Sequence, residues 1–295
     1  MKVAFLGLGD IGAPMASHLA RDPFDLVVWN RTASKAEDFV REHKARVART
    51  PAEAVRDAQV VITCLPSSVE VEAVLHGENG MLESLRGGAV LIDCTSGDPP
   101  TSRSIAAELG GRGVEFIDAP VSGGTTAAKA GTLTVMWGGE ESVFELVRPV
   151  MEAFGKKIVH AGPVGSGDAL KAVNNALLAV HILSAAEGLA VLVKAGVDPK
   201  VALEVINASS GRSNTSENLI PQRVLTRAFP RTFRLALLEK DIEIAAVLAE
   251  DLDVRTPLIS LTAERFHEAR EMLGEKADHV EAVKMVEQEN GVEIK

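Results

Sequence analysis

A short apolar run, Val3–Leu6, passes directly into Gly7-Leu8-Gly9-Asp10-Ile11-Gly12 and then into an amphipathic stretch from Pro14 to Arg21. Glycines in a G-x-G-x-x-G spacing between a strand and a helix specify a tight βα turn. Gly7 permits the turn, Gly9 lets a pyrophosphate approach the backbone, and Gly12 lets helix and strand pack closely. The free amides at the helix N-terminus, among them those of Leu8, Asp10 and Ile11, then face the phosphates of a ligand. Opening a βαβ unit at residue 7, the motif predicts a bound dinucleotide.

The rest of the first half keeps that rhythm. Short apolar runs recur at Asp25–Trp29, Val60–Leu65, Ala89–Asp93, Glu115–Ala119, Leu133–Trp137 and Ile158–His160, separated by amphipathic stretches. This is the pattern of a mostly parallel sheet covered on both faces. It stops near Gly162-Pro163-Val164-Gly165, after which no convincing strand is visible and apolar residues recur with the helical period. A helix from Asp168 to Ala195, about 42 Å long at the standard rise, is expected to end at Gly196. Asp198-Pro199 supplies a cap and a first-turn proline for the next helix. The predicted fold class is therefore α/β: a doubly wound Rossmann domain over residues 1–163, joined by a long interdomain helix to an all-α domain over residues 164–295.

Composition narrows the function classes. Hydrophobic residues make up 46% of the 295 and charged ones 24%, as in globular proteins. The uninterrupted apolar runs fall short of the roughly 18 residues of a membrane span, and no signal-peptide pattern precedes the first strand. A cytoplasmic protein without a membrane role is expected. The formal net charge of -10 argues against nucleic acid as a partner. Cys64 and Cys94 have neither metal-cluster nor disulfide-framework spacing and are expected to be reduced strand-end residues. His18, His43, His76, His160, His181, His267 and His279 show no ligand spacing, so no metal is expected. Tyrosine is absent, which excludes a tyrosine phenol as proton donor.

After the second strand, the place usual for an acid that grips the adenosine ribose holds Asn30-Arg31-Thr32. Arg31 can pair with a 2′-phosphate while Asn30 and Thr32 donate hydrogen bonds to it, which predicts NADP in preference to NAD. Two further strand ends, at Cys64-Leu65-Pro66-Ser67 and Asp93-Cys94-Thr95-Ser96, line the crevice where such sheets bind ligands. Leu65 and Pro66 can pack against the cofactor and Ser96 can hydrogen-bond to it. After the next strand, Ser122-Gly123-Gly124 offers a hydroxyl and converging amides, an anion nest suited to a carboxylate.

Lys171 and Asn175 are polar residues in an otherwise apolar helix and, four apart, share a face. An amine in apolar surroundings is disfavoured in its charged form, which makes Lys171 a candidate acid/base as well as a candidate snorkelling lysine.

Taken together and in order, Gly7-x-Gly9-x-x-Gly12, Asp118-Ala119-Pro120-Val121-Ser122-Gly123-Gly124 with Gly131-Thr132-Leu133, Gly165-x-Gly167-x-x-x-Lys171-x-x-x-Asn175, and Lys240-Asp241 resemble the β-hydroxyacid dehydrogenase family, in particular its 3-hydroxyisobutyrate dehydrogenase branch. The resemblance spans nearly the whole chain. It implies hydride transfer between NAD(P) and a small 3-hydroxy acid or semialdehyde, with tartronate, succinic or glyoxylic semialdehyde reductases as alternatives within the family. It implies Ser122, Gly123 and Gly124 on the substrate carboxylate, Lys171 as acid/base with Asn175 beside it, and Lys240 reaching toward substrate and cofactor. It also implies a homodimer or homotetramer. Ala127-Ala128 depart from the Gly-Ala common in relatives and bear on the conformation of the substrate loop. Imine reductases share the scaffold but usually lack the lysine, 6-phosphogluconate-type enzymes have a larger helical domain, and a non-catalytic dinucleotide-binding protein would not need the lysine, asparagine and nest together.

Overall fold

The computed structural model describes the whole chain, Met1–Lys295, which forms two compact units, Met1–Lys171 and Ala172–Lys295.

The first unit is built on a nine-stranded sheet. Its strands are β1 (Lys2–Leu6), β2 (Asp25–Trp29), β3 (Arg46–Val47), β4 (Val60–Thr63), β5 (Val90–Asp93), β6 (Glu115–Asp118), β7 (Val121–Ser122), β8 (Leu133–Gly138) and β9 (Gly155–Gly162). The spatial order is β3-β2-β1-β4-β5-β6-β8-β7, with β9 also paired to β8. Strands β3 through β6 are mutually parallel, β8 runs antiparallel to β6 and β7, and β9 lies parallel to β8. Order 3-2-1-4-5-6 is the doubly wound arrangement, whose direction of winding reverses beside β1, where the glycine turn leaves the sheet.

The alternation of side chains explains why these strands read as unbroken apolar runs. Val3, Phe5, Val60, Ile62, Val90 and Ile92 enter one core, while Ala4, Leu6, Val61 and Leu91 enter another. With both faces covered by helices, a strand has no side on which a polar residue is favoured. Strands β3 and β7 are two residues long, too short to leave a periodicity in the sequence. Strand β9 begins earlier than its apolar stretch because the exposed Lys156 and Lys157 face solvent at the sheet edge.

The second unit is helical. A 29-residue helix, Ser166–Lys194, begins within the first unit, which continues through Lys171, beyond the Gly162-Pro163 turn where the strand rhythm ends. From Ala172 onward its residues Ala176, Ala179, Ile182, Ala186 and Leu189 join the core of the second unit, with Leu203, Leu238, Ile242, Phe266 and Val283. Counting uninterrupted runs understates this helix: by length and composition it could cross a bilayer. Lys171, Asn174, Asn175 and His181 break the run without offsetting its apolar average. The apolar residues serve two faces, since Leu177 and Val191 are exposed opposite the packed side. Helices Pro199–Asn207, Leu235–Asp251, Pro257–Leu273 and Val283–Asn290 complete the unit. A π-helical segment, Thr215–Val224, contains Pro221 and closes with the Leu225 amide on the Ile220 carbonyl, an i to i−5 bond.

Candidate active site

The glycine turn has two kinds of glycine. Gly7 adopts φ +108°, and a side chain there would strike the Cys64 carbonyl; one at Gly12 would strike the Gly7 carbonyl. Both are demanded by the chain itself. Gly9 is different, because a Cβ there would meet nothing within 4 Å. Its missing side chain leaves room at the turn for something outside the chain, which is the fit expected of a pyrophosphate. The two substitutions should therefore separate. Gly12→Ala is expected to cost about 1–3 kcal/mol of stability through overpacking, read from urea melts. Gly9→Ala should melt as wild type and lose NADPH binding, and unchanged binding would remove the pyrophosphate from this turn.

Asn30 accepts from the Leu8 amide at 2.9 Å and donates through Nδ2 to the Thr32 carbonyl at 3.0 Å. Its amide thus ties the glycine turn to the end of β2. Arg31 and Thr32 are exposed beside it.

At the carboxyl end of the sheet the last residues of four neighbouring strands stand in register: Thr63, Asp93, Asp118 and Gly138. Asp93 is 3% exposed and accepts from Thr63 Oγ1 at 2.8 Å and from the Thr95 amide at 3.0 Å. Thr95 Oγ1 in turn accepts from the Leu65 amide at 3.1 Å, so the loops carrying Leu65 and Ser96 are tied together. Leu65 is half-buried against Gly7, Pro66 is exposed, and Ser96 is half-buried and has a partner. Both thiols are free. Burial, with the Asp93 charge adding to it, pushes Cys64 up to about 12, and burial likewise holds Cys94 well above its ordinary value. Both stay protonated and weakly reactive at neutral pH.

Asp118 explains the glycines before Lys171. Its Oδ1 accepts from the Gly165 amide at 2.7 Å and its Oδ2 from the Asp168 amide at 2.9 Å. A Cβ at Gly138 or Gly167 would lie 2.6 or 2.8 Å from those oxygens. The carboxyl fills the space the glycines vacate and receives the amides at the N-terminus of the long helix. Burial raises Asp118 above the usual carboxylate range, opposed by those amides.

Ser122 ends β7, paired with Thr134, and the loop then turns through Gly123 at φ +130° and Gly124 at φ +66°. Ala127 packs against the loop, its Cβ 2.5 Å from the position a Gly123 side chain would take. His18 Nε2 lies 2.9 Å from the Ala128 carbonyl, attaching the helix Gly124–Ala130 to Gly12–Leu19. Ala127-Ala128 are thus packing residues beneath the glycine loop.

Lys171 is 9% exposed, with an interaction partner, and sits one turn beyond Asp168 on the long helix. Asn175 follows at 3% exposure. In the second unit Asn175 Nδ2 donates to Asp241 Oδ2 at 2.6 Å, and Lys240 Nζ lies 2.7 Å from Asp241 Oδ1. Asn174 Nδ2 donates to Asn175 Oδ1 at 3.1 Å. Asp241 therefore orients Asn175 and pairs with Lys240. Sequence reasoning assigned no role to Asp93, Asp118, Asp168 or Asp241. The available signal was an acid closing an otherwise apolar strand, as in Val90-Leu91-Ile92-Asp93 and Phe116-Ile117-Asp118.

A dinucleotide turn in a doubly wound sheet, with a buried lysine on the helix that leaves it, defines a nicotinamide-dependent oxidoreductase. Residues 2–162 match the family described as the NAD binding domain of 6-phosphogluconate dehydrogenase, and residues 165–286 the one described as NAD-binding of NADP-dependent 3-hydroxyisobutyrate dehydrogenase. The chain is 35% identical over 300 residues to 2-(hydroxymethyl)glutarate dehydrogenase of Eubacterium barkeri, covering 100% of this chain and 97% of the relative. It is 37% identical over 266 residues to NAD-dependent L-serine dehydrogenase of Pseudomonas aeruginosa, covering 88% and 89%. Among solved structures it is similar to Mycobacterium tuberculosis 3-hydroxyisobutyrate dehydrogenase with L-serine, at TM-score 0.87 and 30% identity, covering 97% and 98%. The chain belongs to the β-hydroxyacid dehydrogenase family, among NAD(P)-dependent hydroxyacid dehydrogenases that include the 3-hydroxyisobutyrate enzymes.

Proposed function

We propose that the chain interconverts a small 2-substituted 3-hydroxypropanoate and its semialdehyde, using NADP in preference to NAD. The observation that carries this reading is Lys171, a buried amine on the helix that Asp118 docks against the sheet end. The substrates named for the relatives, 2-(hydroxymethyl)glutarate, L-serine and 3-hydroxyisobutyrate, share one skeleton: a carboxylate, a substituted carbon and a primary alcohol.

Bound NAD(P) supplies the hydride acceptor or donor. The Ser122 hydroxyl and the amides of Gly123 and Gly124 hold the substrate carboxylate. In oxidation, neutral Lys171 takes the proton from the substrate hydroxyl; in reduction, protonated Lys171 donates to the developing alkoxide. Asn175, oriented by Asp241, holds the hydroxyl or the amine in line, and Lys240 adds positive charge toward the substrate and cofactor. Leu65, Pro66 and Ser96 support the cofactor. The preference for NADP rests on Arg31, exposed after β2 with no acid in its place. The working form is a homodimer or homotetramer, supported by exposed apolar residues such as Val201, Val205, Leu258 and Leu261 on the helical unit. A cytoplasmic setting accords with two free thiols.

The test is a panel of alcohols with NADP+ and NAD+, namely 3-hydroxyisobutyrate, L-serine, 2-(hydroxymethyl)glutarate and matched alcohols lacking the carboxylate, and of tartronate semialdehyde, succinic semialdehyde and glyoxylate with NADPH and NADH. Turnover is expected with at least one of the acids and with none of the carboxylate-free alcohols. Equal turnover of the carboxylate-free alcohols would remove the anion nest from the mechanism. No oxidation of any acid, together with no reduction of tartronate semialdehyde, succinic semialdehyde or glyoxylate by NADPH or NADH, would favour a non-catalytic dinucleotide-binding role.

A further inference from the structure

Asp168 is 1% exposed, and its carboxyl bridges two parts of the loop and helix that follow β5. Oδ2 lies 2.6 Å from Ser102 Oγ and Oδ1 accepts from the Gly97 amide at 3.3 Å. A Cβ at Gly97 would crowd Ser68 Oγ at 2.9 Å, while Asp168 Oδ2 would lie at an ordinary contact distance of 3.5 Å. The Asp168 backbone amide donates in turn to Asp118 Oδ2 at 2.9 Å. The first turn of the long helix is thus gripped at the backbone by β6 and at the side chain by the Gly97–Ser102 segment. Lys171 lies three residues on, a neighbour on the same helical surface.

The grip is poor for stability. Burial, together with the nearby charges of Asp118 and Asp93, raises Asp168 well above the ordinary carboxylate value, against the pull of Ser102 and Gly97. A carboxyl that binds its proton more tightly in the folded chain than in the unfolded one loses stability as pH rises through that window. An asparagine would accept from the Gly97 amide through Oδ1 and donate to Ser102 Oγ through Nδ2, reversing the second hydrogen bond but carrying no charge. Buried groups that work against stability gather at functional sites.

We propose that Asp168 is a positioning residue for Lys171: its carboxyl, clasped by Ser102 and Gly97, fixes the first turn of the long helix and so sets where the amine is presented to the substrate hydroxyl. The proposal rests on Lys171 being the acid/base. At 1% exposure, with both oxygens bonded within the protein, Asp168 acts through the helix and not on the substrate.

The test compares Asp168→Ala, Asp168→Asn and Ser102→Ala with wild type and Lys171→Ala, using whichever hydroxy acid the panel identifies. Each rate is normalised to the NADPH-binding sites measured by fluorescence titration, so that unfolded material is not counted. Asp168→Ala is expected to lower kcat about 10- to 100-fold with NADPH affinity and substrate KM unchanged. Asp168→Asn, which keeps the Gly97 bond and can bond Ser102 Oγ with the direction reversed, should recover most of the rate, and Ser102→Ala should fall between. Should Asp168→Ala fail to fold, the Asn and Ser102→Ala variants carry the comparison, and Ser102→Ala at wild-type kcat per site would overturn the proposal. So would Asp168→Ala at wild-type kcat per site with only a lowered melting temperature, or a proportional change in KM and kcat. If Lys171→Ala itself keeps full turnover, the acid/base reading fails first, an outcome distinct from a Lys171-dependent enzyme indifferent to Asp168.

Discussion

Replacing Lys171 with alanine is expected to lower kcat about 10²- to 10⁴-fold, the usual contribution of a positioned acid/base, while NADPH still binds with wild-type affinity. The size follows from its place in the chain. Lys171 is buried beside a helix start held by Asp118 and Asp168, so no bulk water replaces its amine in a fixed position. Loss confined to kcat would show that the amine acts in the transition state. A raised KM with unchanged kcat would instead make it a carboxylate-binding group. Steady-state rates paired with a fluorescence titration of NADPH separate the two.

Arg31→Ala is expected to weaken NADPH binding about 10- to 100-fold, the equivalent of a lost charge-assisted contact of about 1.5–3 kcal/mol. NADH, which lacks the 2′-phosphate, should bind both forms equally. Because Arg31 is exposed, the difference should shrink as salt is added. Equal affinity of wild type and variant for NADPH at low salt would assign the preference to other residues. Asn30 bonds Leu8 through Oδ1 and Thr32 through one N–H, contacts the sequence does not show, and keeps a second N–H for a phosphate.

That difference marks where sequence reasoning reaches its limit. The strand-turn-helix at Val3–Gly12 was legible because every determinant is local: glycines at fixed spacing between an apolar run and an amphipathic one. Strands β1, β4 and β5 were legible for the same reason, their buried residues being contiguous, and β2 from its unbroken apolar run Leu26–Trp29, although only Leu26 and Val28 are buried. The long helix was legible from its period, and Lys171 and Asn175 stood out against it. What could not be read were roles that depend on partners far along the chain. Asp118 is an acid at a strand end until Gly165 and Asp168, 47 and 50 residues later, donate to it. Asp241 completes a hydrogen bond to Asn175 across 66 positions, and Asp168 meets Ser102 across the same separation. The two-residue strands β3 and β7 had no period to display, and pairing with a neighbour is what makes them strands.

The central claim is that hydride passes between the carbon bearing the substrate hydroxyl and bound NAD(P), while the proton leaves through the protein. It is tested most directly with a 3-hydroxy acid deuterated at that carbon, followed by mass spectrometry of the reduced cofactor. The expected result is one deuterium on the nicotinamide ring for each turnover, formed by wild type and barely detectable with Lys171→Ala. Reduced cofactor without the label, or the label appearing at the same rate without Lys171, would contradict it.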